Sequence, residues 1–156
     1  MTYLSTKTYG HEIGLSCAFR QWKAHSHCNK LHGYALGVKF VFATAEPDRC
    51  GWVVDFGSLK SLKQMLQDTF DHTVLVANDD PELEAFHMMN NIGIAKVVVL
   101  EATGCEAFAE LIYNCTEVWL QDNGYAPRVV LHSVEVSEHG ANSAIYCPQG
   151  GNSAPN

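Results

Sequence analysis

Residues 26–34 read SHCNKLHGY and set one thiol, Cys28, among groups that can change its chemistry. His25, His27 and Lys30 lie within three residues of it, and cationic neighbours favour the thiolate, the form that acts as nucleophile or base. An inert surface cysteine explains the local sequence equally well. His32 and Tyr34 sit two residues apart in a segment of strand character, so both project to one face. Two imidazoles there would offer a cation two nitrogens, whereas this chain offers an imidazole and a phenol.

Asp71 and His72 are adjacent at the end of an apolar-periodic segment. A carboxylate can orient an imidazole and raise its basicity, giving a proton relay, although such a pair is more often a solvated helix end. Glu138 ends the apolar run RVVLHSVEVSE, where a carboxylate is costly unless a hydrogen-bond donor meets it. A flat ligand presenting two N–H groups side by side would satisfy both oxygens; a strand-end surface acid is the plainer reading.

The elements that must position these groups follow from hydrophobic period. Lys7–Phe19 and Tyr34–Phe42 alternate and predict strands, with Leu36, Val38, Phe40 and Phe42 on one face. The polar connection 20–33 between them is of the length that is usually functional or disordered. Asp55 predicts a helix cap, followed by Leu59, Leu62, Leu66 and Phe70 at three- and four-residue steps. Pro81 predicts the first turn of a shorter helix to about Asn90, and KVVVL a strand. A third helix is predicted from Cys105 to Gln121 with Phe108, Leu111, Ile112, Cys115 and Trp119 on one face, stopped by Gly124 and Pro127. RVVLHSVEVSE then predicts a strand carrying Val130, His132, Val134, Val136 and Glu138 on one side, and SAIYC a last short strand. This order predicts an α+β fold, an antiparallel sheet with helices on one face, in one domain over residues 1–147. The tail 148–156, rich in Gly, Pro, Asn and Ser, reads as unordered. Open sheet edges favour association through strands.

Composition narrows the function. Ten basic against seventeen acidic residues in a chain of 156 give a net charge of -7, which disfavours nucleic acid as a partner. No segment approaches the roughly 20 apolar residues that span a bilayer. The opening MTYLSTKTYGHE lacks a signal pattern, so the expected location is the cytoplasm. Six cysteines form no C-x-x-C pair, which argues against a zinc ribbon or a thioredoxin-like motif.

Taken in order, CNKLHG, VVDFGSLKSL, FDHTVL, CEAFAELI and VEVSEHGANSAIY resemble the family of 6-pyruvoyltetrahydropterin and 6-carboxytetrahydropterin synthases, from about Tyr9 to Tyr146. The resemblance implies the tunnelling fold, an oligomeric barrel, with a homohexamer expected and active sites between subunits. It implies a lyase acting on a small-molecule pterin, 7,8-dihydroneopterin triphosphate. Triphosphate is lost, and acetaldehyde too in the carboxy-forming branch that serves queuosine and other 7-deazaguanines. Residue by residue, it implies Cys28 as catalytic thiol, Asp71 and His72 as proton relay, and Glu138 as pterin anchor. It also implies Glu106 at the start of the third helix, with Thr103 before it, on the substrate side.

The resemblance implies zinc as cofactor, bound by a histidine in a Ser-Ala-Ala-His pattern and two more in His-Gly-His. Here Phe19 and Tyr34 occupy two of those places and His32 the third. Either His25 and His27 join His32 in a rebuilt site, or the metal is lost and the chain is a metal-independent enzyme or a non-catalytic pterin or purine binder. Residues 76–95 exceed the family's short link and predict an extra helix near the pocket mouth. Arg20, Lys23 and Lys30 are the candidate cations for a triphosphate.

Overall fold

The computed structural model describes residues 1–148; apart from Pro148, the predicted tail lies outside them. The elements run β1 Tyr3–Tyr9, β2 Leu15–Phe19, β3 His32–Thr44, α1 Lys60–Phe70, β4 Thr73–Ala77, α2 Leu83–Asn91, β5 Val97–Leu100, α3 Cys105–Asp122, β6 Val130–His139 and β7 Asn142–Tyr146. Two departures from the sequence reading concern strands. The single strand expected over Lys7–Phe19 is cut by a 3-10 turn at His11–Ile13, which ends on Gly14 in the left-handed region. β4 was not anticipated. Its residues TVLVA form a continuous apolar run without alternation, the pattern of a strand covered on both faces.

The fold is α+β as expected, and its curled sheet is mixed rather than wholly antiparallel. The strand order is β5-β4-β2-β3-β6-β7, with β1 also on β3. β4 runs parallel to β2 and to β5, and the other pairings are antiparallel. Parallel neighbours need a crossover, and α2 supplies it between β4 and β5. The long β3 joins the two halves: His32–Leu36 pairs with β2, and the rest of the strand pairs with β1 and β6.

Burial explains the helices. Asp55 caps as expected, its Oδ1 accepting from the Gly57 N–H at 2.8 Å. It opens a 3-10 turn, Phe56–Leu59, that leads into α1. Leu59, Leu62, Leu66 and Phe70 are all buried. On α3 the buried face is rotated from the predicted one and runs through Cys105, Phe108, Ala109, Ile112, Tyr113, Thr116 and Leu120. Cys115 is exposed. Two polar groups enter that face because their hydroxyls are satisfied: Thr116 Oγ1 donates to the Ile112 carbonyl at 2.7 Å and Tyr113 Oη to Leu131 at 2.8 Å.

On β6 the register against β3 shifts between Val41 and Phe42, which pair with Ser133 and Leu131 and leave His132 over as the extra residue. Such a bulge reverses which side chains face inward. Leu131 is therefore buried while Val130 and His132 are exposed, and the expected alternation holds only from Val134 onward.

Phe108 of α3 meets Phe19 of β2 edge-on at 5.1 Å between centroids, and Phe70 of α1 at 5.4 Å. All three are fully buried. Among the described residues no helix is long and apolar enough to cross a membrane. Removing the middle ring should be costly: Phe108→Ala is expected to lower stability by about 3–5 kcal/mol, read as a fall in the urea unfolding midpoint.

Candidate active site

A cavity of about 250 Å³ opens where the start of β3, the connection before it, the start of α3 and the β6–β7 hairpin meet. Its walls include Cys28, His32, Tyr34, Cys105, Glu106 and Glu138. Ligand pockets for drug-sized molecules span about 300–1,000 Å³, so this space suits one bicyclic heterocycle with its substituent reaching outward. A larger cavity of about 400 Å³ lies at the far end of β1, lined by Tyr3, Trp52 and Phe56 among others. Its one carboxylate, Asp55, is engaged in capping, so the smaller cavity is where the chemistry gathers.

Local structure explains how each group reaches the cavity. Cys28 sits in a 3-10 turn over His27–Asn29, capped by Ser26, whose Oγ accepts from the Cys28 N–H at 3.4 Å. Gly33 lets β2 approach closely, because a Cβ there would stand 2.9 Å from the Cys17 carbonyl oxygen. Gly104 has φ +112°, which a side chain rarely tolerates, and a Cβ there would collide with the Gln21 amide. That turn starts α3 with Cys105 and Glu106 on the cavity wall.

The Tyr34 phenol is held above its ordinary value first by burial and then by the charges of Glu138 and Cys28. Burial, with Glu138 and Glu106 nearby, pushes the Cys105 thiol up to about 12. Both neighbours therefore stay protonated at neutral pH.

Of the residues singled out from sequence, Cys28, Glu106, Glu138 and His32 meet in this cavity. Thr103 does not line it. Its hydroxyl donates to the Arg20 carbonyl at 2.8 Å and its carbonyl accepts from the Gln21 amide at 2.5 Å, so it braces the connection. Asp71 and His72 also lie outside it. They form their own pair, His72 Nδ1 to Asp71 Oδ1 at 2.6 Å, with the His72 side chain 87% exposed. His72 has φ 54°, a strained conformation for a residue with a Cβ. Gln21, Cys105, Asn142 and Ser143 line the cavity unannounced by the sequence. The signal for the last two is the short turn after His139, which folds Asn142 back opposite it.

The rebuilt metal site does not form. His25 and His27 are exposed and off the cavity wall, and among the described residues no group of three or more His, Cys, Asp or Glu side chains could hold a metal. His32 directs Nδ1 to the Lys30 carbonyl at 2.7 Å. Its ring stands 5.3 Å from that of Phe19 and 5.5 Å from that of Tyr34, and Phe19 is 6.0 Å from Tyr34. An aromatic cluster fills the place where the resemblance implies three imidazoles, and this donor set does not fit zinc.

Two expected phosphate cations are likewise engaged. Arg20 is paired with Asp80 and Lys23 with Asp79. Nor does the extra helix reach the pocket mouth: no residue of 76–95 lines the cavity. That segment lies behind the connection that carries Cys28 and is tied to it by these pairs.

A family model described as 6-pyruvoyl tetrahydropterin synthase matches residues 10–149. The chain belongs to that family. Curated relatives named 6-carboxy-5,6,7,8-tetrahydropterin synthase include one from Rickettsia conorii, 31% identical over 75 residues, and one from Rickettsia felis, 29% identical over 75. Each match covers 41% of this chain and 54% of the relative, so the chain spans about half the length of the curated relatives it matches. Among solved structures, an uncharacterized protein from Wolinella succinogenes superposes with a TM-score of 0.79 at 19% identity, covering 96% of this chain and 99% of that one. The 6-pyruvoyl tetrahydropterin synthase of Plasmodium falciparum gives 0.67 at 17% identity over 93% and 96%. These likenesses establish the family's fold.

Two outcomes follow from the geometry. Changing Phe19→His together with Tyr34→His should create a site that retains zinc through gel filtration, measured by elemental analysis beside the parent protein. The Arg20 donors hold the Asp80 carboxyl below the usual carboxylate range. A lowered folded-state value contributes stability above the unfolded value of about 4, and that contribution fades as pH falls through the folded value. The stability gap between the parent and Asp80→Asn in urea unfolding should therefore be widest near neutrality and close on acidification.

Proposed function

We propose that this protein is a pterin-transforming lyase of the tetrahydropterin synthase type, working without zinc at the family's usual position. The observation that carries this reading is one cavity holding Cys28 and Glu138, which are 110 residues apart in sequence (138 − 28). Glu138 accepts the paired N–H donors of a 2-amino-4-oxo heterocycle, and Glu106 completes that end of the wall. The ring is thereby fixed with its substituent toward Cys28.

Cys28, as thiolate, takes a proton from a side-chain carbon, and a second group returns a proton on the opposite side. Asp71 and His72 are suited to that second role, but within one chain they lie off the cavity. We infer that they serve the cavity of a neighbouring subunit in a homo-oligomer, the hexamer being the expected form. Three features support this: the pair is preformed, its imidazole is exposed, and its backbone is strained. The reaction needs no external reductant if electrons leaving the side chain enter the ring, turning a dihydropterin into a tetrahydropterin.

The substrate to test first is 7,8-dihydroneopterin triphosphate, with a 6-carboxy product favoured over 6-pyruvoyl by the names of the curated relatives. Arg20 and Lys23 are paired internally, so within this chain Lys30 is the remaining candidate for the triphosphate. The aromatic cluster at Phe19, His32 and Tyr34 favours a second reading, a pterin or purine binder without turnover. Product analysis by mass spectrometry separates the two.

Cys28→Ala is expected to lower turnover by at least about 100-fold while leaving pterin affinity, measured by fluorescence quenching, within a few-fold. Glu138→Gln should instead weaken binding. If sites are shared, mixing Cys28→Ala with His72→Ala protein under conditions that exchange subunits should restore part of the activity that each lacks alone.

A further inference from the structure

The loop between β4 and α2 grips the connection that carries Cys28. Arg20 Nε donates to Asp80 Oδ2 at 2.8 Å and Nη2 to Oδ1 at 2.6 Å, a two-pronged pair. The side chains are 21% and 1% exposed, so the pair is largely withdrawn from water. Asp80 Oδ1 also accepts the Glu82 N–H at 2.9 Å, and the Asp80 N–H closes a turn on the Ala77 carbonyl at 3.0 Å. The carboxylate is thus set by its own backbone before it meets the arginine.

From Arg20 the contacts lead to the thiol. Nη1 of Arg20 donates to the carbonyl of Asn29 at 3.4 Å, the residue after Cys28. The N–H of Gln21, the residue after Arg20, donates to the Cys28 carbonyl at 2.9 Å. Thr103 and Gln21 join the same segment to the start of α3. A second contact sits one residue earlier on the acidic side: Asp79 accepts from Trp22 Nε1 at 3.0 Å and Lys23 Nζ at 2.7 Å. That contact is open to solvent, and exposed pairs hold little.

We propose that Asp80 is a positioning residue: through Arg20 it holds the 20–31 connection so that Cys28 faces Glu138 across the cavity, with Asp79 as a weaker second hold. Residues 76–95 thus act on the site from behind, fixing the thiol rather than touching the ligand. A buried, two-pronged pair is rigid in orientation, whereas a neutral amide at the same place keeps the shape and loses one acceptor and the charge. The proposal rests on Cys28 being the reactive thiol of the cavity, and its primary readout needs no substrate.

The test measures alkylation of Cys28 by iodoacetamide at fixed pH. The tryptic peptide 24–30 contains Cys28 as its one cysteine and is quantified by mass spectrometry. Asp80→Asn, shown to be folded by circular dichroism, is expected to change the Cys28 rate at least about 5-fold, while Cys50, distant on the β3–α1 connection, keeps its rate. Arg20→Gln should change it equally, and the double variant no further, because both members act through one link. Asp79→Asn should give a smaller change in the same direction. If Asp80→Asn does not fold, Arg20→Lys, which keeps the charge and loses the fork, stands in its place. With dihydropterin substrate, kcat should fall while ligand affinity holds. A folded Asp80→Asn or Arg20→Lys protein with the parent's Cys28 rate overturns the proposal, as does a double variant whose effects simply add. A changed Cys28 rate in a protein that turns over no pterin would uphold the clamp and refute the lyase.

Discussion

The structure depends on β3 being long enough to belong to both halves of the sheet. Its thirteen residues, His32–Thr44, pair with β2 at one end and with β1 and β6 further along. Leu36, Val38, Phe40 and Phe42 supply a continuous buried row, and burial of that row sets the register, since a slip by one residue would turn it to solvent. The same register places Phe19 opposite His32. It also carries β6, so that Glu138 arrives beside Tyr34. The β3 and β6 walls of the cavity thus follow from core packing.

Glu138 is half-buried on the cavity wall, with Tyr34 and Cys105 as neighbours. Tyr34 and Cys105 are held protonated by burial and by Glu138 itself, so added anions do not accumulate. Cys17, also pushed up to about 12 by burial, is a neutral core thiol beneath them. The aromatic cluster of Phe19, His32 and Tyr34 trades coordination for packing. Its rings hold one another 5.3–6.0 Å apart, contacts worth about 0.5–1.5 kcal/mol each beyond buried area.

Much of the fold was legible because its long elements repeat a period. α1 read correctly from four apolar residues, and α3 correctly in extent. The α3 face was misjudged because Ala109, Tyr113 and Thr116 are buried against partners the sequence does not name. β4 was missed because a short apolar run has no period of its own, and the β6 face because one extra residue at His132 reverses the alternation. The local signals at Cys28 and Glu138 are individually weak, and the structure brings both residues to one cavity. What joins them is spatial, and no spacing in a one-dimensional string reports it.

The sequence by itself determined the type of the long elements, the family resemblance and the residue kinds available for chemistry, because propensity, period and motif are local properties. It also determined that Phe19 and Tyr34 stand where the family resemblance implies nitrogen ligands. Only the tertiary structure decided that His25 and His27 stay outside, that Arg20 and Lys23 are paired with Asp80 and Asp79, and that Asp71 and His72 lie off their own chain's cavity. Those outcomes depend on which surfaces meet when the core closes, and the relevant partners are up to about 60 residues away along the chain.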